Sequence, residues 1–550
     1  MKKKLILLTI LLIAFFLRFW RLDTYPALNA DEAAIGYNAY SLIETGRDEH
    51  GNPWPIHFQS FNDYKPGLYF YMVLPFVKYF GLNEWSVRIP GAFLGATTVL
   101  MMYFLVKELF GKDKDNNLPF EGDHLALTAS FFLAISPWHI HFSRGGWEVN
   151  VATFFITAGV YLFLKGRRNL SVLMISVLSF ALSLYAYHAA RIVVPLLGLG
   201  IVFIFRDDFK KNWKNFLLAG LVGLVATLPL IKDFTKSEIT SRAAGVGLFP
   251  DTGPISRIHE QRGEHEDFLG VLPKALHNKY VNYSLAFLEN WSEHYGGLFL
   301  FLSGDDIQRN KVPETGQMYL TDILWILVGV WLLVRTQKKG TKLILWWLII
   351  APSASALTFQ SPHALRAQNM IIPLIMISAY GFVVILKYLS KINNKGVGYS
   401  LLGLIFTLIL WQFARYEHMY WVHMAKEYPF SSQYGVKELA SYINANDQNY
   451  QKVLVTDRYD QPYILFLFYL KYSPVIFQKD HFLSARDSFG FSTVRDFDKF
   501  EFRPISWDTD QPNNPNSLIV GTDQNIPDEA NIIKEIYGSN GYKYFEVVAN

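Results

Sequence analysis

Long apolar stretches recur along this chain at a spacing that no soluble core requires. After Lys2-Lys3-Lys4 an apolar run covers Leu5 to Leu17. Further runs follow at about 86–107, 125–143, 148–165, 170–188, 190–205, 215–232, 319–335, 342–359, 365–387 and 397–415. Most are long enough to cross a bilayer core of about 30 Å, so the pattern predicts about eleven transmembrane helices. The first run could instead be a signal peptide ending at Ala30. Arg18 and Arg21 interrupt the place where a small-residue cleavage site should stand, and a retained helix fits better.

The connections sort by charge. Lys2 to Lys4, then Lys107, Lys112 and Lys114, then Lys165, Arg167 and Arg168, then Arg206, Lys210, Lys211 and Lys214, then Arg335, Lys338, Lys339 and Lys342, then Lys387, Lys391 and Lys395 fall in alternate loops. The positive-inside rule puts these in the cytoplasm. The long connections 22–85 and 233–318 and the region from about 416 onward then lie outside. Residues 67–80 are apolar but short and contain Pro75 and Lys78, which suits a helix in the outer interface. Beyond 416 the pattern changes. Val436 to Ile443 is amphipathic, Lys452 to Thr456 and Ser517 to Val520 read as strands, Pro462 to Tyr472 as a helix, and GYKYFEVVA as a last strand. Alternating strands and helices predict an α/β domain. The expected organisation is therefore a membrane domain, 1–415, and an extracytoplasmic α/β domain, 416–550, on a multi-pass protein of the plasma membrane with its N-terminus in the cytoplasm.

Composition agrees. Of 550 residues 51% are hydrophobic and 18% charged, against about 25% charged in soluble proteins. A net charge of +4 with no basic stripe gives no case for nucleic acid. The absence of cysteine removes disulfides, thiol nucleophiles and cysteine-ligated metals.

The first outer loop carries the densest polar pattern: Asn29-Ala-Asp31-Glu32 at the start of a helical run, then Asp63-Tyr64-Lys65-Pro66-Gly67, then Asn83-Glu84-Trp85-Ser86-Val87-Arg88-Ile89-Pro90 opening the second span. In this order the set resembles the GT-C superfamily of membrane glycosyltransferases, in the branch of protein O-mannosyltransferases and lipid A aminoarabinose transferases. Those enzymes carry an Asp-Glu pair after the first span, then a Lys-Pro-Pro or similar element, then an Arg-Leu/Val-Pro/Phe-Ser element. The match covers residues 1–110 and weakens afterwards. The resemblance implies a mainly α, polytopic GT-C fold. It also implies transfer of a sugar from a polyprenyl-phosphate donor to an acceptor hydroxyl on a protein, lipid or glycan, outside the membrane and with inversion.

Physical chemistry assigns the parts of that expectation. An attacking hydroxyl must lose a proton, and a carboxylate within hydrogen-bond reach can take it; Asp31 is placed for this, although Asp is also a common N-cap. Glu32, about 100° further round a helix, either orients a partner or raises the Asp31 pKa, or is simply a first-turn acid beside the helix dipole. The leaving phosphate gains charge and needs cations. Lys65 is the first candidate, with snorkelling to the headgroups as its alternative. Arg88 is a further donor-phosphate candidate, with a structural, substrate-orienting or interfacial-anchor role as the alternative. Arg191, in Tyr185-Ala-Tyr187-His188-Ala-Ala-Arg191, and Arg366, in Ser361-Pro362-His363-Ala-Leu-Arg366, are further phosphate ligands or headgroup contacts. His188, His363 and Tyr64 complete the substrate-binding candidates. Arg144 and Glu148, around Gly145-Gly146-Trp147, read as a local ion pair in an outer hairpin. Trp291, His294, Tyr295, Phe299 and Phe301 could line an acceptor groove or form an aromatic belt.

Some relatives use a carboxylate just before the Lys-Pro element as a metal ligand. Tyr64 holds that position here and Asp63 is one residue away. His259, Glu260, His265, Glu266 and Asp267 could bind a metal but fit a solvated loop better. The expectation is no metal site and no obligatory cofactor, a divalent cation being optional. Rival readings are a transporter or flippase of lipid-linked sugars, an oligosaccharyltransferase and a scaffold. No repeated half supports the first. For the second, the Trp-Trp-Asp element expected in the outer domain is absent, since Trp346-Trp347 is followed by Leu348 in a span.

Overall fold

The fold is seen in a computed structural model in which residues 1–111, 122–235, 247–249, 251–336, 338–431, 433–487 and 491–550 are described. Lys112 and Lys114 lie outside the described residues. The chain divides into two compact units. The first contains Met1–Leu17, Leu94–Phe142 and Val149–Tyr416; the second contains Arg18–Phe93, Ser143–Glu148 and Glu417–Asn550.

Helices form in each predicted apolar run. They are α1 (Lys2–Phe19), then, after the outer-loop helices α2 (Ala30–Thr45) and α3 (Leu68–Phe80), α4 (Glu84–Phe110), α5 (Gly122–Ala134), α6 (Pro137–Ser143), α7 (Glu148–Gly166), α8 (Leu170–Ala186), α9 (Ala190–Ile204), the short α10 (Arg206–Lys211) and α11 (Trp213–Asp233). The loop helices α12 (Gly253–Gly263), α13 (Val271–Leu276) and α14 (Lys279–Glu293) follow. The apolar set resumes with α15 (Asp322–Arg335), α16 (Lys339–Ile350), α17 (Ser353–Ala356), α18 (Ile371–Leu389) and α19 (Lys395–His418).

Among the described residues, five helical stretches are long and apolar enough to cross a membrane by themselves: Glu84–Phe110, Glu148–Gly166, Trp213–Asp233, Gln368–Leu389 and Lys395–Glu427. A sixth arises if α5 and α6 are one span, and these are bent by 58°. The predicted straight span 125–143 is therefore broken, and the break falls at Ser136-Pro137, because proline cannot donate to the preceding turn. Other predicted spans are shorter: α16 stops before Pro352, and α8 and α9 have 17 and 15 residues. Large apolar side chains such as Leu221, Val225, Phe406 and Trp411 project outward from α11 and α19. So much exposed hydrocarbon on two long helices is stable against lipid, not water.

In the first unit α15 and α18 cross closely. A Cβ on Gly381 would meet the Trp325 carbonyl at 1.9 Å, and one on Gly329 the Ile377 carbonyl at 2.2 Å. Small residues permit this approach between membrane helices. Basic loops predicted to share one side do meet. Lys3 and Lys107 both pair with Asp123, at 3.1 and 2.9 Å, while Arg167 reaches Asp208 and Lys339 reaches Asp207, at 3.3 and 3.1 Å.

The second unit adds a two-stranded hairpin, β1 (His57–Ser60) with β2 (Asp63–Pro66), to helices α2 and α3. Its C-terminal part contains α20 (Met424–Glu427), α21 (Val436–Asn446), β3 (Lys452–Val455), α22 (Pro462–Leu470), α23 (Pro474–Asp480), β4 (Asp496–Phe497), β5 (Phe500–Phe502), α24 (Trp507–Asn513), β6 (Ser517–Gly521), β7 (Ile532–Tyr537) and β8 (Lys543–Ala549). The sheet order is β4-β5-β3-β6-β8-β7. β3 is parallel to both neighbours and the other pairs are antiparallel. Helix α22 is apolar all round and accordingly buried from Pro462 to Phe468; it packs against α2 and α21. The α/β domain expected from the strand and helix signals is thus present. Overall the architecture is helical and polytopic, with a sheet-containing C-terminal region.

Candidate active site

Helix α2 starts because Asn29 caps it. The Asn29 side chain accepts from the Glu32 N–H at 3.1 Å, and the Glu32 carboxylate accepts from the Asn29 N–H at 3.3 Å, closing a capping box. Asp31 is therefore not the N-cap. It stands free of capping duty in the first turn, where the helix dipole favours a carboxylate.

Two adjacent acids take different partners. Glu32, 1% exposed, receives Arg88 Nε at 2.7 Å and Nη2 at 2.8 Å, together with the Gly146 N–H at 2.8 Å. Arg88 spends its remaining donors on the carbonyls of Leu22, Pro26 and Ala27, at 2.9, 2.9 and 3.3 Å. All five of its N–H groups are engaged, leaving none for a donor phosphate. The sequence expectation of Arg88 as a phosphate ligand gives way to a buried brace that ties the span entrance to α2. Likewise Glu32, an expected catalytic acid, has both oxygens occupied.

Asp31 points the other way and meets Lys65, Nζ to Oδ1, at 2.5 Å. Lys65 is delivered by the hairpin, whose turn residues Phe61 and Asn62 both have φ of +57°, the backbone that a two-residue turn needs to match strand twist. Side chains alternate along β2, so Asp63 and Lys65 share a face and Tyr64 takes the other. Tyr64, a substrate-binding candidate of the sequence reading, is consequently turned from the face that carries Lys65. Nζ of Lys65 also sits 4.8 Å from the Phe61 ring centre. Burial alone would depress the ammonium pKa. The fields of Asp31, Glu148 and Asp63 outweigh burial and hold it above the usual lysine value, so it stays a cation.

Glu148 is a site member that the sequence reading did not place there. It is 8% exposed at the first turn of α7, close enough to act on Lys65. The loop that carries it, 143–148, is fixed by Arg144. That guanidinium is 1% exposed, donates to the Tyr420 hydroxyl at 2.9 Å and the Trp20 and Tyr25 carbonyls at 2.7 and 3.2 Å, and lies 4.7 Å over Trp421. Gly146 lets this loop approach α2: a Cβ there would meet Val87 at 3.0 Å and the Glu32 Cγ at 3.2 Å. The signal in the sequence was the Gly145-Gly146 pair between two charges.

The remaining candidates belong to the first unit. Arg191 bonds the Leu184 carbonyl at 3.2 Å and His188 Nδ1 at 2.8 Å, and stacks over Phe234 at 4.7 Å. It lines a cavity of about 1370 Å³ that is walled by apolar side chains including Leu196, Phe249 and Trp291, with Lys279 as its second cation. Arg366 bonds the Thr358 hydroxyl at 2.7 Å. His363 is buried beside Asp305 at 3.5 Å. His294 accepts from the His363 N–H at 3.2 Å and faces the Asn290 carbonyl through Nδ1; burial lowers its pKa to about 4, and it serves as an internal tie. Trp291 and Tyr295 bond the carbonyls of Ile349 and Leu348. The His259–Asp267 stretch forms local contacts, with His265 meeting His277 at 3.0 Å. Among the described residues no three His, Asp or Glu side chains converge to hold a metal ion.

Residues 8–230 match the family described as dolichyl-phosphate-mannose-protein mannosyltransferase. YkcB of Bacillus subtilis (strain 168), which bears the name of a mannosyltransferase, is 26% identical over 159 residues, 28% of this chain and 21% of that one. ArnT from Cupriavidus metallidurans in the apo state superposes with a TM-score of 0.56 at 12% identity, covering 99% of this chain and 97% of that one. The Archaeoglobus fulgidus oligosaccharyltransferase in complex with zinc and sulfate gives 0.51 at 14% identity, covering 84% of this chain and 61% of that one. The chain thus spans about a fifth of the curated relative and under two thirds of the archaeal enzyme, and at these identities the structures speak to fold. Over residues 8–230 the chain is thus similar to the protein mannosyltransferase family, and its fold is similar to the folds of ArnT and the archaeal oligosaccharyltransferase.

Proposed function

We propose that this chain moves a sugar from a polyprenyl-phosphate donor to an acceptor hydroxyl at the outer membrane face, with inversion. The observation that carries the reading is the Asp31–Lys65 contact at 2.5 Å. It sets a proton acceptor and a phosphate partner side by side on elements braced by Glu32 and Arg88. Paired in this way, the two neutralise each other. A donor phosphate competes for Lys65 and releases the Asp31 carboxylate to act as base. The acceptor O–H then breaks with its proton going to Asp31. The oxygen forms a bond to the anomeric carbon, and the carbon–oxygen bond to phosphate breaks with its electron pair leaving on polyprenyl phosphate. Lys65 stabilises the charge that develops there. Glu32 and Arg88 position Asp31 without touching substrate, and Glu148 shares the electrostatics of Lys65. Lysine and arginine charge suffices for a monophosphate, so no metal is obligatory.

The apolar cavity of the first unit suits a hydrocarbon chain such as a polyprenyl lipid carries. ArnT has been solved bound to undecaprenyl phosphate, and the archaeal enzyme with an inhibitory peptide and a dolichol-phosphate, which supports a lipid-linked donor and a separate acceptor. The test is purified protein with a panel of polyprenyl-phosphate sugars. Transfer should require the phosphate-linked lipid, and Asp31→Asn should abolish turnover while donor binding persists. Wild-type turnover in Asp31→Asn would remove Asp31 as the base.

A further inference from the structure

The connection from α11 to α15 contains a closed loop with an apolar tip. Its base is clamped: His265 Nε2 meets His277 Nε2 at 3.0 Å, His277 Nδ1 meets Gln261 Oε1 at 3.1 Å, and Arg262 Nε donates to the His277 carbonyl at 2.7 Å. Between and just beyond these ties Phe268, Leu269, Val271, Leu272, Leu276 and Tyr280 all point outward, from 50% exposed at Leu276 to 86% at Val271 and 89% at Tyr280. A patch of this size on a soluble surface would be an interaction site or an aggregation hazard. Two facts select its occupant. The connection leaves one apolar helix at Asp233 and enters another at Asp322, so a bilayer surface lies within its reach. The tip also carries exposed Lys274 and Lys279 among its apolar side chains, the arrangement by which long cations reach headgroups while their neighbours enter hydrocarbon. Glu264, Glu266 and Asp267 precede Phe268 and lie outside the apolar stretch. Lys279 and Tyr280 line the apolar cavity as well, so tip and cavity wall are continuous.

We propose that residues 268–280 form a membrane-inserted tip, seated at the headgroup–hydrocarbon boundary of the outer leaflet beside the mouth of the cavity. The inference concerns lipid contact and holds whether or not the cavity takes the proposed donor. Because the chain has no cysteine, single-cysteine variants Leu269→Cys, Val271→Cys and Leu272→Cys can be nitroxide-labelled in the full-length protein. The labelled protein is reconstituted in vesicles of phosphatidylcholine alone or mixed with phosphatidylglycerol, with Glu260→Cys as the aqueous reference. Power-saturation spectroscopy should show collisions with oxygen exceeding those with a nickel chelate several-fold at the three tip labels in both vesicle types, and the reverse at position 260. In the Val271→Asp, Leu272→Asp double variant, the label at position 269 should shift towards the aqueous ratio with the circular dichroism unchanged. Nickel accessibility at the tip equal to that at 260 would overturn the proposal. So would exclusion of both reagents, the signature of a protein partner or second copy covering the tip.

Discussion

The pair Glu49 and His50 makes the stability of the second unit pH-dependent in a way that can be worked out from the structure. His481 Nδ1 donates to the Phe477 carbonyl at 2.7 Å, so its Nε2 is an acceptor and takes a proton donor from His50 Nδ1 at 2.8 Å. The His50 Nε2 lone pair then faces Glu49 Oε1 at 3.6 Å, and neither Glu49 oxygen receives a hydrogen bond. This chain of donors is self-consistent with both groups uncharged. Burial, then the Asp48 charge, pushes the Glu49 carboxyl up from 4.5 to about 8, while burial and His481 bring His50 down from 6.5 to about 3. The signs oppose. Glu49 contributes stability fully present below pH 4.5 and lost as pH rises through about 8; His50 contributes stability present above 6.5 and lost as pH falls through about 3. Between 4.5 and 6.5 the slopes of these two groups cancel. Above 6.5 Glu49 is the member of the pair that contributes a slope, of about 1.4 kcal/mol per pH unit, which gives a loss of about 2 kcal/mol by pH 8 and a fall in thermal midpoint of about 4–8 °C for a unit of this size. The assay is the thermal midpoint in detergent across pH 4 to about 8.5 for wild type and Glu49→Gln. Wild type should show the plateau and the alkaline fall, and the variant should rise to about pH 6.5 and then stay level. A wild-type midpoint unchanged between pH 6.5 and 8, or an alkaline fall that survives in Glu49→Gln, refutes the reasoning.

Other outcomes follow from the same geometry. Arg88→Ala should lower the unfolding free energy by about 3–5 kcal/mol, because it strands a buried carboxylate, and a double-mutant cycle with Glu32→Gln should recover much of that loss. Lys65→Gln should reduce kcat by about 10²–10³ if it stabilises the leaving phosphate, with Lys65→Arg partly active; an equal loss in KM alone would point to simple donor binding. Gly146→Ala should cost about 1–3 kcal/mol by crowding Val87 and the Glu32 brace, read as a lower midpoint and lower turnover together. A chelator should leave turnover within about twofold; loss restored by added divalent cation would reverse the proposal that lysine and arginine alone serve the phosphate.

What the sequence made legible divides along physical lines. The bilayer imposes length and apolarity on its helices, so their existence could be read directly, whereas the break at Ser136-Pro137 needed the proline to be weighed against the run. The capping box Asn29-x-x-Glu32 was equally local, yet the acid pair drew attention past it to Asp31. The turn Phe61-Asn62 has no glycine, so nothing nearby announced a hairpin, and without the hairpin the opposite facing of Tyr64 and Lys65 was hidden. Arg88 and Glu148 lie 56 and 116 residues beyond Glu32 in the chain, and only tertiary structure shows that one braces Glu32 while the other faces Lys65. The adjacent acids Asp31 and Glu32 show why such assignments stay out of reach of motif spacing. One residue of helix separates their directions by about 100°. The first therefore meets the Lys65 ammonium, and the second a guanidinium with every donor committed. In the proposed mechanism chemistry goes to the acid whose partner a phosphate displaces, and positioning to the acid whose partner stays. That difference resides in the bonds made by Lys65 and Arg88, not in the acids themselves.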